Sequence, residues 1–378
     1  MAKDKTINEE SEFDDQTNDD NIASEEIPKE ERKLQTQAYD KSISDLYAKL
    51  TNKDIILDPD YQRYYNYIWD NKKASLLIES ILLNVPIPVI YVAEDVKGRW
   101  IVVDGLQRLN SLRRFMDNEF KLTGLDVLSE LNRQQFSTLN PKAQRLLKNG
   151  MIRTIVILSE SHPEIKYDIF MRLNRGSIKL NEQELRNCLY RGPFIRLLKK
   201  LTKNTSYLEC LGFVEPHKRF YDAELVLRFL ALHKAFDPET GTVKDYPNRM
   251  RTFLNKYMEL KKNIAPDEAQ SLESLFTNTV EKVSFMFEKP AFRRINPVEG
   301  TTDKPLNRAL MDVAMVGLSY VSHERLKSIK NELLKLYTNL PQTDTKFNEA
   351  ILYATSDKSK LEYRLSTWYK EMMKIVTI

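Results

Sequence analysis

Residues 101–114, Ile-Val-Val-Asp-Gly-Leu-Gln-Arg-Leu-Asn-Ser-Leu-Arg-Arg, constrain the fold more than any other stretch of the chain. Four residues of strand character, Trp100–Val103, run into Asp104-Gly105. Leu106, Leu109, Leu112 and Phe115 then recur at three-residue spacing, the stripe of a helix. Gly105 lets the backbone turn sharply, or approach a ligand where a Cβ would clash. Gln107 and Arg108 therefore fall in the first helical turn, where unpaired N–H groups and the positive dipole end attract anions. A carboxylate, a glycine, an amide and a guanidinium around a helix N-terminus can hold a phosphate and a group attacking it. The same residues also read as a plain strand-to-helix turn in which Arg108 pairs with Asp104.

The chain has 378 residues, enough for two domains with substantial cores. A hydrophobic content of 42% with 30% charged residues is that of a soluble globular protein. The most apolar stretch, Ser75–Ala93, is interrupted by Glu79, Asn84, Pro86 and Pro88, so no membrane span is expected. The N-terminus has no basic region followed by an apolar core, so no secretory signal is expected and the cytoplasm is the expected compartment. Two cysteines, Cys188 and Cys210, are too few for a disulfide scaffold and read as small buried hydrophobes. Four scattered histidines without a Cys-x-x-Cys pair argue against structural zinc.

The net charge of +4 hides an asymmetry. Residues 1–31 hold 12 Asp/Glu against 3 Lys, a local charge of −9. The rest holds 55 Lys/Arg against 42 Asp/Glu, or +13, which favours a polyanionic partner such as DNA. The acidic segment is too polar to build a core, so residues 1–35 read as a disordered tail.

Order is expected from Lys41–Ser44 onward. Asp58-Pro59-Asp60 is a turn, and the aromatic run from Tyr61 to Trp69 follows it. Lys72–Leu83 carries one apolar face and ends at Asn84-Val85-Pro86, the pattern of a helix. Val89–Ala93 and Trp100–Val103 around Lys97-Gly98 predict a hairpin leading into the opening motif. Leu125–Leu131, Lys142–Lys148, Ile165–Leu173 and Asn181–Tyr190 read as helices, and Ile152–Leu158 as a buried strand. From Pro193 onward no strand is expected. Apolar residues recur at helical spacing, as in Leu225/Phe229/Leu232, Tyr257/Leu260, Leu306/Leu310/Val313 and Leu361/Leu365/Trp368.

Three of these segments occur in a telling order: Leu77-Ile78-Glu79-Ser80-Ile81, Pro86-Ile87-Pro88-Val89-Ile90, and Val102-Val103-Asp104-Gly105-Leu106-Gln107-Arg108. They resemble the nucleotide-binding core of the ParB/sulfiredoxin fold. The nearer resemblance is to the N-terminal domain of GmrSD-type restriction endonucleases. Tyr61-Gln62-Arg63, Leu77–Pro88, the Asp-Gly-x-Gln-Arg loop, Phe170–Gly176 and Leu180–Arg186 are similar to its hallmarks, over about residues 40–190. Two departures stand out. Leu106 occupies a position where the family has glutamine, and the His-Asn-His nuclease domain of two-part members has no counterpart. His217-Lys218 and His323-Glu324 lack the paired metal-ligand context of such a domain, so a stand-alone member is expected.

The resemblance implies an α+β fold, a ParB/sulfiredoxin-like small mixed sheet with helices over residues 36–192, and the helical spacing beyond it predicts an all-helical domain over 193–378. It implies binding of a nucleoside triphosphate with Mg2+. Asp104, Gln107 and Arg108 are the candidate catalytic groups. Asp104 would position Mg2+, or else hold the turn as an N-cap. Gln107 and Arg108 would bind phosphate oxygens, and arginine's planar fork suits that role. Tyr61, Gln62, Arg63, Gly105, Arg172, Asn174 and Gly176 are the candidate nucleotide-binding residues. Arg63 has a rival reading, packing on Tyr64 or Tyr65. Glu79 would orient Arg108 or face solvent, whereas Glu184 and Arg186 read as structural. Lys199, Lys200, Lys203, Lys218 and Arg219 are candidate DNA contacts, as are Arg293 and Arg294, though such groups usually form a solvated face.

These readings lead to a nucleotide-binding, NTP-hydrolysing protein acting on DNA, or with a partner nuclease or restriction subunit, in phage restriction. Oligomer formation is compatible with them. One alternative is a non-catalytic DNA- or protein-binding regulator that keeps the fold. Another is direct nuclease action at the same site.

Overall fold

The computed structural model describes residues 34–57, 69–95, 97–173, 181–287, 290–296, 298–303 and 305–377. The acidic segment 1–33, with most of the expected tail, lies outside them, as do Tyr61, Gln62, Arg63, Asn174 and Gly176. The chain divides into two compact units between Asn181 and Glu182.

The first unit is built on one mixed sheet. Its elements are β1 (Thr36–Ser42), α1 (Ile43–Thr51), β2 (Ile55–Ile56), α2 (Asn71–Leu82), β3 (Ile90–Glu94), β4 (Trp100–Asp104), α3 (Leu106–Met116), α4 (Pro141–Asn149), β5 (Met151–Ile157) and α5 (Pro163–Leu173). The strand order is β1-β5-β3-β4-β2. β5 pairs antiparallel with β1 and parallel with β3, and β4 pairs antiparallel with β3 and parallel with β2. On β5, Ile152, Thr154 and Val156 are buried while Met151 and Arg153 are exposed, the period-2 signature of a strand with one face inward. The sheet coils enough for Tyr39 on β1 to stack on Trp100 of β4, with ring centroids 6.0 Å apart.

Local chemistry starts the helices. The Ser42 hydroxyl accepts from the Asp45 N–H at 3.0 Å, and the Asp70 carboxylate from the Lys73 N–H at 2.7 Å. α2 buries Ala74, Leu77, Ile78 and Ile81 and stops where Asn84 takes a φ of 56°. Ile43, Leu46, Ile78, Ile90, Leu109, Phe115, Leu147 and Val156 make the core between helices and sheet.

One expected helix is absent. Over Leu125–Leu131 only a 3₁₀ turn at Ser129–Leu131 forms. Glu79, buried on α2, accepts the N–H groups of Val127 and Leu128 at 2.9 and 2.7 Å. Asn132 accepts from the Leu125 N–H at 3.1 Å. These side-chain bonds, two of them from a residue nearly fifty positions earlier, fix the segment as a loop, and tertiary contact overrides propensity. Glu79 consequently neither orients Arg108 nor faces solvent.

The second unit comprises α6 (Glu182–Leu189), α7 (Pro193–Leu201), α8 (Thr205–Leu211), α9 (Tyr221–Ala235), β6 (Phe236–Asp237), β7 (Thr242–Val243), α10 (Met250–Lys261), α11 (Pro266–Phe287), α12 (Arg308–Ser319), α13 (His323–Thr343), α14 (Thr345–Leu352) and α15 (Lys358–Val376). It is helical as expected, apart from the β6–β7 ladder. Two residues per strand are too few to leave an alternating pattern. Gly241 at φ 71° and the Asp237 carboxylate, which accepts from the Glu239 N–H at 3.0 Å, close its turn. α12 is buried almost all round, from Ala309 to Leu318. Gly317 brings α15 close: a Cβ there would lie 2.2 Å from Trp368 Nε1. The apolar stripes read from the sequence are buried, except that Leu260 is exposed. Cys188 and Cys210 are buried. Among the described residues no helix is long and apolar enough to cross a membrane.

Candidate functional site

The corner at Asp104-Gly105 is shaped by the sheet before it and the helix after it. Tyr91 pairs with Asp104 but Val92 with Val102, so Val103 is a bulge residue at the very end of β4. A bulge at that point re-aims the strand's last side chain. Gly105 follows at φ 97°, in the left-handed region, as the N-cap residue of α3. A Cβ on it would lie 2.8 Å from Ile90 Cγ1, so only glycine fits both the angle and the space. A glycine cap brings no side-chain acceptor, so the N-cap residue makes no side-chain bond to the first turn of α3. The first N–H groups of a helix have no partner within it.

Asp104 and Arg108 form a pair one helical turn apart: Nη2 donates to Oδ2 at 2.8 Å. Their exposures differ sharply. The Arg108 side chain is 10% exposed, that of Asp104 45%. The other guanidinium nitrogen, Nη1, donates to the carbonyls of Pro88 and, at 3.2 Å, Val89. Arg108 is therefore committed to protein partners on both terminal nitrogens, and the pairing left open by the sequence is the one present. Leu106 is half-buried at the start of α3.

Gln107 is also engaged. Its Oε1 accepts from the backbone N–H of Trp69 at 3.1 Å. Two turns along the same helix, Arg114 donates from Nη1 to the Trp69 carbonyl at 3.3 Å and from Nη2 to Asn71 Oδ1 at 2.9 Å. The sequence reading missed Arg114 and Trp69. The seven-residue interval from Gln107 to Arg114, which puts both on one helix face, was the available signal.

α5 packs beside β4 and carries Arg172, exposed, in its last turn. The structure thus brings together Asp104, Gly105, Gln107 and Arg108, and sets Arg172 on a neighbouring helix. Among the described residues no group of three or more His, Cys, Asp or Glu stands together as a metal cage.

The second unit treats the remaining candidates unevenly. Lys199 Nζ lies 5.6 Å from the centroid of the Phe220 ring, and Lys200 pairs with Glu273 at 2.6 Å. Arg219 lies 3.4 Å from Glu184. Lys203 and Lys218 are exposed. Arg293 spends its guanidinium on the carbonyls of Ala291 and Leu211 at 3.0 and 3.1 Å. Arg186 is wholly buried and donates to Glu182, Gln183, Glu224 and Asn255 at 2.7–3.2 Å, a hub tying α6 to α9 and α10.

Neither curated proteins nor solved structures give a match to this chain. A family model does, over residues 43–191, from α1 through α6, and it covers the Asp104-Gly105 corner and Arg186 itself, though not its partners Glu224 and Asn255. The model matched by residues 43–191 is that of the GmrSD restriction endonuclease, N-terminal domain, and to this domain that part of the chain is similar.

Proposed function

We propose that this protein binds a nucleoside triphosphate with Mg2+ at the N-terminal end of α3 and serves restriction of phage DNA. A partner nuclease would do the cutting. The observation that carries the reading is the corner itself: a helix N-terminus capped by a glycine, which has no side chain to occupy it, beside the half-exposed carboxylate of Asp104. Backbone N–H groups at such an end suit phosphate oxygens, and Gly105 lets a ligand approach the backbone closely. Asp104 fits Mg2+, which is typically held by one or two carboxylates together with phosphates and water. The ion, when bound, would supply charge neutralisation at the phosphates. Arg172 extends the site from α5. Tyr61, Gln62, Arg63, Asn174 and Gly176 complete the set by family resemblance alone. The excess of positive charge over residues 32–378 supports a DNA partner, with Lys203 and Lys218 as exposed cations in the second unit.

A second reading has its own observation. Arg108 is turned inward onto the Pro88 and Val89 carbonyls and Leu106 is apolar, which favours binding without hydrolysis and hence a regulator. One experiment separates the two. The full chain is titrated with each of the four ribonucleoside triphosphates and Mg2+, with and without DNA, by calorimetry and by phosphate release. Hydrolysis is expected, with Asp104→Asn folded but binding at least about tenfold more weakly. Binding without release favours the regulator. No binding under any condition overturns both.

A further inference from the structure

Residues 131–159 are the longest stretch of the chain without a carboxylate, and they carry five cations: Arg133, Lys142, Arg145, Lys148 and Arg153. A solvated surface normally mixes both signs, and at the chain's average of 54 Asp/Glu in 378 residues about four would fall here. All five cations are exposed. Arg153 meets Asp40 at 3.7 Å, whereas Arg133, Lys142, Arg145 and Lys148 make no ion pair with a described residue. Three of them sit on α4, whose position is fixed. Asn140 accepts from the Ala143 N–H at 2.8 Å as the N-cap, and Gln144 donates to the carbonyls of Phe136 and Leu139 at 3.2 and 3.0 Å. Ala143 and Leu147 are buried, and Lys148 Nζ lies 5.5 Å from the Phe136 ring centroid. Two helices pack on α4. The carboxylate of α1, Asp45, is exposed, and that of α2, Glu79, is turned inward onto Val127 and Leu128.

We infer that the outward face of α4 is a phosphate-contacting surface for duplex DNA, with Lys142, Arg145 and Lys148 as its cations. This rests on the DNA reading above and adds a contact in the first unit to Lys203 and Lys218 of the second. The three cations recur at every third residue, so they are neighbours on the helix surface and span about 9 Å of its length. One strand presents a phosphate per ~3.4 Å of duplex axis, so about three phosphates face that span. Phosphate contacts carry no sequence information, and binding through α4 is expected to be independent of sequence. A membrane surface fits less well. An amphipathic helix enters lipid by its apolar face, and Ala143 and Leu147 already place that face in the core.

The test measures affinity of the full chain for a short fluorescent DNA duplex by anisotropy, between about 50 and 200 mM salt. Combining Lys142→Gln, Arg145→Gln and Lys148→Gln is expected to weaken binding about tenfold or more at the lower salt. The slope of log affinity against log salt should become shallower by about 2–3. Because Lys148 touches the Phe136 ring, Lys142→Gln with Arg145→Gln repeats the test without disturbing that contact, and its slope should change by about 2. The rival cause is the general pull of a basic protein. Lys327→Gln, Lys335→Gln and Lys370→Gln together remove the same charge from exposed positions of the second unit and are expected to leave the slope unchanged. An equal fall in that control overturns the inference. So does loss of binding to phosphatidylserine vesicles in the α4 variants with duplex affinity intact. If the wild type binds duplex with a slope that the α4 changes leave untouched, this inference falls alone. If the wild type binds no duplex even at the lower salt, the DNA reading falls and takes this inference with it.

Discussion

Arg108 donates to Asp104 at 2.8 Å across one turn of α3, and the two residues face opposite worlds: the guanidinium is nearly enclosed while the carboxylate is almost half exposed. Of the two side chains, that of Asp104 is by far the more accessible from solvent. The basic residue that drew attention in the sequence is a clamp joining the end of β4, the approach to β3 and the start of α3. Asp104 is the group turned toward solvent.

Removing that clamp will cost stability. Arg108→Ala leaves the Pro88 and Val89 carbonyls without their donor, and is expected to destabilise the fold by about 2–4 kcal/mol. Arg108→Lys should recover only part of this, because an ammonium cannot span both partners as a planar fork. Urea unfolding of the three proteins checks the order. Equal stability of wild type and alanine variant would show the clamp idle.

Gly105→Ala meets two penalties at once. Its φ of 97° is strained for any L side chain, and the added Cβ would press on Ile90 Cγ1 at 2.8 Å. A loss of about 2–3 kcal/mol is expected from strain plus overpacking. Thermal melting would reveal it, and an unchanged midpoint would contradict the turn geometry.

In the second unit, Asp312 stands between two buried guanidinium groups. Arg228 donates to both its oxygens at 2.6 and 2.7 Å, and Arg364 to one of them at 2.8 Å. Asp312→Ala would leave two uncompensated cations in the core and is expected to cost about 3–5 kcal/mol. The variant should unfold at markedly lower denaturant concentration than wild type. A shift under about 1 kcal/mol would mean that the cations relax outward to water.

Stability should also fall in mild acid. Burial, and secondarily Lys234, holds the His233 pKa below its ordinary value, so the unfolded chain takes up this proton more readily than the folded one. The stabilisation linked to neutral His233 is complete above about pH 6.5, the unfolded value, and is lost as pH falls from there through the lower folded value. His233 Nδ1 also shares a hydrogen bond with Ser319 at 3.0 Å. Denaturation midpoints between pH 7.5 and 5 should decline less steeply in His233→Gln. Parallel profiles would exclude His233 as the source.

Much of the fold was legible because its signals are local. Lys72–Leu83 read as a helix and α2 spans Asn71–Leu82. The hairpin around Lys97-Gly98 and the strand at 152–158 appear as β3–β4 and β5. Where local reading failed, a distant partner intervened. Leu125–Leu131 carries helical spacing, yet Glu79, some fifty residues earlier, claims the N–H groups of Val127 and Leu128. The β6–β7 ladder is held by a turn rather than by any period in its residues. Leu260 continues an apolar stripe on α10 but stays exposed, because no other element covers it among the described residues.

The strand, the left-handed glycine and the helix at residues 101–116 follow from the sequence alone, since periods of two and of three to four, and the need for φ above zero, act within a few residues. Which polar atoms remain for a ligand is a different kind of question. Arg108 is spent on carbonyls 19 and 20 residues away and Gln107 on an N–H 38 residues away. Those distances close only when β3, β4 and the start of α2 are packed around α3. Packing, not residue type, enclosed Arg108 and left Asp104 as the exposed member of the pair.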